Sequence, residues 1–282
     1  MFSKRIKSVL TMGLIACTLI FVACEKENTN TISVIKAEKS PGGKSVIAAD
    51  AKGAIDGAAK GSSIGNAIAG STGAGWGALI GGIIGGTAAS VDQYRENHPV
   101  TPPAMDTNTN LQQTSCYFPD SIKNSSNPYD YVGQIHYDIV AHFLANAALC
   151  QTNDGELNLS EYYTTVFNML INNYPSLYIT SNMQNYFGYA DLVSVMNDLD
   201  EDFSIIASNS IQDNNLRQVI TSYQQFFDNT SNAASFCPYS ITVENQILSN
   251  SSYSDIEKQI ALSYMATARY GFWFWENYCG GF

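Results

Sequence analysis

The chain has 282 residues, 45% of them hydrophobic and only 14% charged, with 14 basic and 25 acidic side chains and a net charge of −11. That length and apolar content are ample for a buried core. The acidic balance excludes nucleic acid as a partner, because a chain of this charge is repelled by phosphate backbones.

Residues 1–23 read as an export signal and not as structure. Lys4, Arg5 and Lys7 form a positive start, and an apolar run follows from Val9 to Val22. Phe21-Val22-Ala23-Cys24, followed at once by Glu25-Lys26-Glu27-Asn28, resembles a bacterial lipobox. In that motif the cysteine becomes lipid-modified and N-terminal; Phe21 stands where leucine is usual. Leu14-Ile15-Ala16-Cys17 is a rival, but cleavage there leaves the apolar Thr18 to Ala23 on the mature chain. Cys24 is therefore the expected lipidation site. The acidic residues just after it resemble the surface-export signal of Bacteroidetes lipoproteins, which implies an outer-membrane lipoprotein of the cell envelope, exposed at the surface. Losing residues 1–23 removes three positive charges and no negative one, which takes the net charge from −11 to about −14. Charge will not hold such a chain to a membrane, so the anchor matters more.

Residues 24–45 are polar, include Pro41-Gly42-Gly43, and read as a tether. Residues 46–97 carry the most unusual pattern in the chain. Glycine or alanine falls on every fourth position: Gly53, Gly57, Gly61, Gly65, Ala69, Gly73, Gly77, Gly81, Gly85 and Ala89. Each glycine weakens a soluble helix by up to ~1 kcal/mol relative to alanine, so the run requires a compensating gain. Close approach of two helix backbones supplies one. A flexible linker would lack Ile64, Ile68, Trp76, Leu79, Ile80, Ile83 and Ile84, and a collagen helix would have a period of three. A four-residue step drifts by ~40° around a straight helix, so one straight rod is disfavoured. The run Gly70-Ser71-Thr72-Gly73-Ala74-Gly75 offers a break. The pattern predicts a helical hairpin with arms at 46–70 and 76–96. The first arm is amphipathic at its start, with Asp50, Lys52, Asp56 and Lys60, and no charge lies between Lys60 and Asp92. This segment resembles the glycine zippers of bacterial envelope proteins and of some secreted antibacterial proteins. The resemblance implies membrane association or self-association.

His98-Pro99 and Pro102-Pro103 end the second arm, and residues 98–126 form a polar linker. Its Asp120-Ser121-Ile122 resembles a short Bacteroidetes O-glycosylation motif, although a plain turn accounts for it as well.

From residue 127 to 282 the spacing predicts an all-α bundle. Val132, Ile135, Ile139, Phe143 and Ala147 share one face after an Asn127-Pro128 start. Ser160 caps a second helix with Val166, Phe167, Leu170 and Ile171 inward. A third begins near Tyr189 and carries Leu192, Val195, Met196, Leu199, Phe203 and Ile206. A fourth has Leu216, Val219, Ile220, Tyr223 and Phe227, and Pro238 opens a fifth with Ile241 and Ile247. Ser254 and Glu257 form a capping box for the last, which runs to about Tyr278. Its Tyr270-Gly271-Phe272-Trp273-Phe274-Trp275 points aromatics all round the helix. This fits a core helix wrapped by the others, or an aromatic contact with a partner or membrane interface.

Four cysteines remain after the anchor: Cys116, Cys150, Cys237 and Cys279. In an oxidising compartment they suggest two disulfides, with three connectivities open. Candidate chemistry is sparse. His136 and His142 lie on different sides of one helix, and His98 is in a linker, so no metal site is expected. Asn153-Asp154-Gly155-Glu156 to Glu161 looks like part of a calcium loop, but the first ligand would be Cys150, a poor donor for a hard cation. Asp198, Asp200, Glu201 and Asp202 read as a solvated helix face. There is no GxSxG, HExxH or P-loop, and no cofactor is expected. The sequence therefore points to a non-enzymatic envelope lipoprotein whose zipper associates with membrane or with copies of itself, and whose bundle binds a protein partner. A secreted antibacterial effector that inserts its hairpin is a second reading. A hydrolase is a third, and it would need a cleft gathering Asp or Glu with His136 or His142.

Overall fold

The computed structural model describes residues 43–97, 118–146, 149–152, 156–174 and 184–277. Cys24, Cys116 and Cys279, with the signal, the tether to residue 42 and most of the linker, lie outside the described residues. The fold is all-α, with eight α-helices and one 3-10 turn among the described residues. In chain order these are α1 (Gly43–Asn97), the 3-10 turn (Asp120–Ile122), α2 (Asp130–Ala145), α3 (Leu159–Asn173), α4 (Tyr189–Asp198), α5 (Phe203–Ser210), α6 (Asn214–Asn229), α7 (Ala233–Ser249) and α8 (Asp255–Asn277).

Helix α1 is the hairpin. Two residues break it, Ala69 (φ −141°, ψ 25°) and Gly70 (φ 62°, ψ −149°). The latter backbone is open essentially to glycine alone. The arms are therefore 43–68 (α1a) and 71–97 (α1b), and Ser71 to Gly75 is helical where the sequence suggests a longer turn. One glycine with positive φ suffices to reverse the chain, so the neighbouring small residues are free to continue the helix and extend the arm contact.

The small residues of the two arms face each other. Gly53 meets Gly85, Gly57 meets Gly81, Gly61 meets Gly77 and Gly65 meets Gly73. A Cβ on Gly53 would stand 2.5 Å from the Gly85 carbonyl oxygen, and the other three pairs are tighter still. No side chain larger than hydrogen fits, which is the physical reason for glycine at these positions.

Away from the exposed 66–72 turn, most of the remaining surface of the hairpin is buried by the bundle. The described residues all fall in one compact unit, so the hairpin and the helical domain divided by the 98–126 linker in sequence are a single body in space. Ile47, Ala51, Ile55 and Ala58 of α1a join one hydrophobic cluster with α6, α7 and α8. Leu79, Ile80, Ile83, Ile84, Ala88 and Val91 of α1b join a second with α2, α3 and α4. Each isoleucine buried in this way contributes about 1.5–3 kcal/mol. Helix α8 packs along the hairpin and is buried without interruption from Gln259 to Phe272. Its Tyr270, Phe272 and Phe274 are core residues, while Trp273 and Trp275 are partly covered at its end. This is the wrapped-core arrangement.

Three predicted boundaries are corrected. Helix α3 is capped by Asn158, whose side chain accepts from the Glu161 amide, and not by Ser160. The segment from Tyr189 to Ile206 is two helices, because Asp202 caps α5 through the Ser204 amide and breaks the run. Helix α7 starts at Ala233 under an Asn232 cap, so Pro238 lies inside it. Short polar side chains that accept from the next turn outweigh the apolar spacing at each of these points. Only half of the capping box of α8 forms: Glu257 N donates to Ser254 Oγ at 3.3 Å, while the Glu257 carboxylate accepts from the Ser254 hydroxyl at 2.7 Å and from the Gln212 and Asp213 amides at 2.9 and 2.7 Å.

Glycine pairing predicts a sharp contrast between neighbours. Gly77→Ala forces α1a and α1b apart and is expected to lose more than about 2 kcal/mol. Gly82→Ala meets only ordinary contacts at 3.4 Å and is expected to gain about 0.5–1 kcal/mol from helix propensity. Urea unfolding of the two variants checks both signs.

Candidate functional site

Charged groups on α1a are the first feature the helical spacing hides. Asp50 and Asp56 are buried, not solvated. Lys60 bridges Asp56 and Asp198, and Lys52 Nζ donates to the carbonyls of Leu199 at 2.9 Å and Glu201 at 2.7 Å. The acidic run at 198–202 is solvated, with Asp200, Glu201 and Asp202 exposed, but beyond Asp198 it is no helix face. It forms the α4–α5 turn, and its backbone and Asp198 carboxylate receive the lysines of the hairpin. Burial pushes the Asp56 carboxyl above its usual range, and Lys60 opposes that shift.

The only acid–histidine contact among the described ion pairs lies at the centre of the fold. His136 Nε2 is 3.6 Å from Asp50 Oδ1, and the Tyr137 hydroxyl donates to Asp50 Oδ2. Gly86 makes room for the imidazole, since a Cβ there would come within 2.9 Å of His136 Cε1. Both side chains of the Asp50–His136 pair are wholly buried, and neither lines a described cavity. His142 faces the α2 end, half-buried, with its pKa lowered by burial.

A larger polar network clasps the chain around Arg269 on α8. Its guanidinium donates to Glu244 Oε1 at 2.8 Å and Oε2 at 3.1 Å, to Asp130, and to the Ile122 carbonyl. Asn124 and Asn127 donate to the second Glu244 oxygen at 3.0 and 2.9 Å, and Ser240 to the first at 2.8 Å. The two carboxylates outweigh the cost of burial and hold the Arg269 pKa well above its ordinary value. Asp120-Ser121-Ile122 is the 3-10 turn that this clasp fastens, with Ile122 buried and Ser121 exposed. Neither Arg269 nor Glu244 stands out in the sequence, because each sits singly within an apolar helix. A lone charge amid a long buried run is the signal that would have found Arg269.

Cys150 and Cys237 are free and buried, so no disulfide is present among the described residues. They belong to different hydrophobic clusters. Burial raises the Cys150 thiol to about 11 and the Cys237 thiol to about 12, which makes both poor nucleophiles. Cys150 has φ 56°, and its carbonyl accepts from Arg95 at 3.3 Å. Its thiol donates to the Thr165 hydroxyl at 3.5 Å. Glu161 lies in the first turn of α3, Asn153 to Gly155 lie outside the described residues, and no metal-holding group of His, Cys, Asp and Glu occurs among the described residues.

One groove of about 380 Å³ opens at the base of the hairpin. Ala48, Ala49 and Ala89 form part of its wall, with Met196 and Leu199 opposite and Asp92, Glu96 and Asp200 at the rim. Burial, with Glu96 adding to it, raises the Asp92 carboxyl. The opposite end of the hairpin, 66–72, is exposed and uncharged, with Ile68 at 53% exposure.

Helix α1 is the one described helix long and apolar enough to cross a membrane, and more than half of its most apolar window is buried inside the protein. Comparison with protein families, with characterised proteins and with solved structures finds no match.

Two measurements follow from these contacts. Arg269→Met strands the Glu244 carboxylate and is expected to lose about 3–5 kcal/mol; adding Glu244→Gln should recover part of that loss in urea unfolding. Asp92 binds its proton more tightly folded than unfolded. Its contribution therefore stabilises as pH falls from its raised folded value toward the ordinary carboxyl value of 3.8, and destabilises at pH 7. Asp92→Asn should raise the unfolding midpoint at pH 7 and flatten this dependence.

Proposed function

We propose that the chain is a non-enzymatic, lipid-anchored protein of the cell envelope, in which the glycine hairpin is the spine of a helical domain that binds a partner protein or another copy of itself. The observation that carries this reading is the state of the hairpin. Its bare backbone faces are spent on each other, and its apolar faces are spent on the bundle.

The same geometry weighs against a hairpin that spans a membrane. Lys60 lies about 14 Å along α1a from the turn at Ala69, at ~1.5 Å per residue. A hydrocarbon core is ~30 Å thick, so insertion would bring Lys60, and then Asp56, into its middle. It would also break the Lys60–Asp198 and Lys52–carbonyl bonds that fix the arm to α4. The sealed Asp50–His136 pair gives a hydrolase no accessible base. The anchor at Cys24 supplies membrane attachment without insertion, in keeping with a charge that offers no attraction to lipid.

Mass spectrometry of the mature protein from isolated membranes tests the anchor, with a lipid on Cys24 as the expected result. Dye-loaded liposomes test the spine: the purified mature protein should bind without leakage. Release of dye, or killing of related cells, would move the assignment to the antibacterial effector.

A further inference from the structure

The groove at the base of the hairpin lies where the cover over the two arms runs out. A Cβ on Gly81 would come within 2.9 Å of Phe187 Cδ2, and one on Gly85 within 3.3 Å of Val195 Cγ1, so α4 and the residues before it lie over the line between the arms. The next small residue of α1b is Ala89, and α4 ends at Asp198. From there the groove takes over. Ala48, Ala49 and Ala89 give it a small apolar floor, and Met196 and Leu199 an apolar wall.

Its charge is one-sided. Asp92, Glu96 and Asp200 stand at the groove, and among the described residues none of the three makes an ion pair. Two neighbouring cations are spent on carbonyls: Lys52 on Leu199 and Glu201, Arg95 on Leu149 and Cys150. Glu96 accepts from the neutral Gln93 amide at 2.9 Å. Asp92 accepts no hydrogen bond from any described residue, and burial raises its carboxyl. A half-buried carboxylate in that state costs stability at pH 7. Groups of this kind collect at sites that bind.

We propose that this groove binds a lysine or arginine side chain of a partner protein, its methylene stem on the alanine floor and its cationic head at Asp92 and Glu96. This rests on the partner-binding part of the proposed function and gives that partner a chemistry. Lysine and arginine carry an apolar stem and a charged tip, and the groove offers an apolar floor and an acidic rim. A second copy is the poorer occupant, since two strongly acidic chains repel each other.

The test uses the full mature chain with Cys24→Ser to keep it soluble. The probes are Nα-acetyl-lysine amide, Nα-acetyl-arginine amide and the uncharged Nα-acetyl-norleucine amide, titrated against amide NMR shifts. The two cationic probes should move amides of 45–52, 89–96 and 196–200 saturably, and the norleucine probe should bind about tenfold more weakly or worse. Asp92→Asn keeps the side-chain shape, and it should weaken the cationic probes about tenfold and leave the norleucine probe unchanged. Equal binding of all three probes overturns the proposal. So do cationic shifts scattered over the acidic surface and unmoved by Asp92→Asn. In cells, a benzophenone amino acid in place of Gln93 should crosslink a second protein, and Asp92→Asn with Glu96→Gln should abolish that crosslink. Crosslinks to lipid alone or to another copy of the chain overturn the proposal. Protein crosslinks from other surface positions but none from Gln93 also overturn it, yet leave partner binding standing; no crosslink from any position overturns both.

Discussion

Two helix backbones in contact, with no side chain between them, are the constraint on which this fold depends. The Gly53–Gly85 to Gly65–Gly73 pairs bring α1a and α1b closer than any residue with a Cβ permits. Close approach has a structural consequence beyond the pair itself. The hairpin becomes thin enough for one apolar surface to serve a core on each arm, with Ile55 in one cluster and Ile83 and Ile84 in the other. Many glycines would leave an isolated helix of this composition marginal. Here the bundle supplies the stability, and the hairpin supplies the surface the bundle is built on.

Polar groups in this interior fasten elements that hydrophobic packing would leave free to slide. Lys52 and Lys60 fix α1a to the α4–α5 turn, and Arg95 fixes the end of α1b to the carbonyls of Leu149 and Cys150. Arg269 and Glu244 fix the strap before α2 to α7 and α8. An apolar helix face tolerates a shift of one turn at small loss, whereas a buried ion pair out of register strands two charges. Such pairs add little net stability, and register is the better account of their presence. The Tyr137–Asp50 hydrogen bond belongs in this group, because it is wholly enclosed and ties α1a to α2.

Much of the fold is legible from spacing alone. The hairpin, the apolar faces of α2, α3 and α6, the Ser254 cap of α8 and its wrapped aromatics all follow from periodicity and end chemistry. What spacing misses has a common cause. Whether Asp50 and Asp56 are solvated, whether 198–202 is helix or turn, and whether the hairpin stands apart from the bundle all depend on partners 87 to 147 residues away. Local pattern carries no information about them. Arg269 is missed for the same reason, since its carboxylates lie on α2 and α7. The functional surface is the least legible part, because neither the groove at Asp92 nor the exposed turn at Ile68 carries a sequence pattern that distinguishes it from ordinary surface.

The account stands on the hairpin being the interior spine of the native domain. Amide hydrogen exchange on the soluble mature protein measures this directly. Amides of 77–91 should open only with global unfolding, as slowly as those of α8, while 66–72 exchanges quickly. Rapid exchange through 77–91 with α6 to α8 still protected would mean that the bundle stands without its hairpin, and would contradict the account.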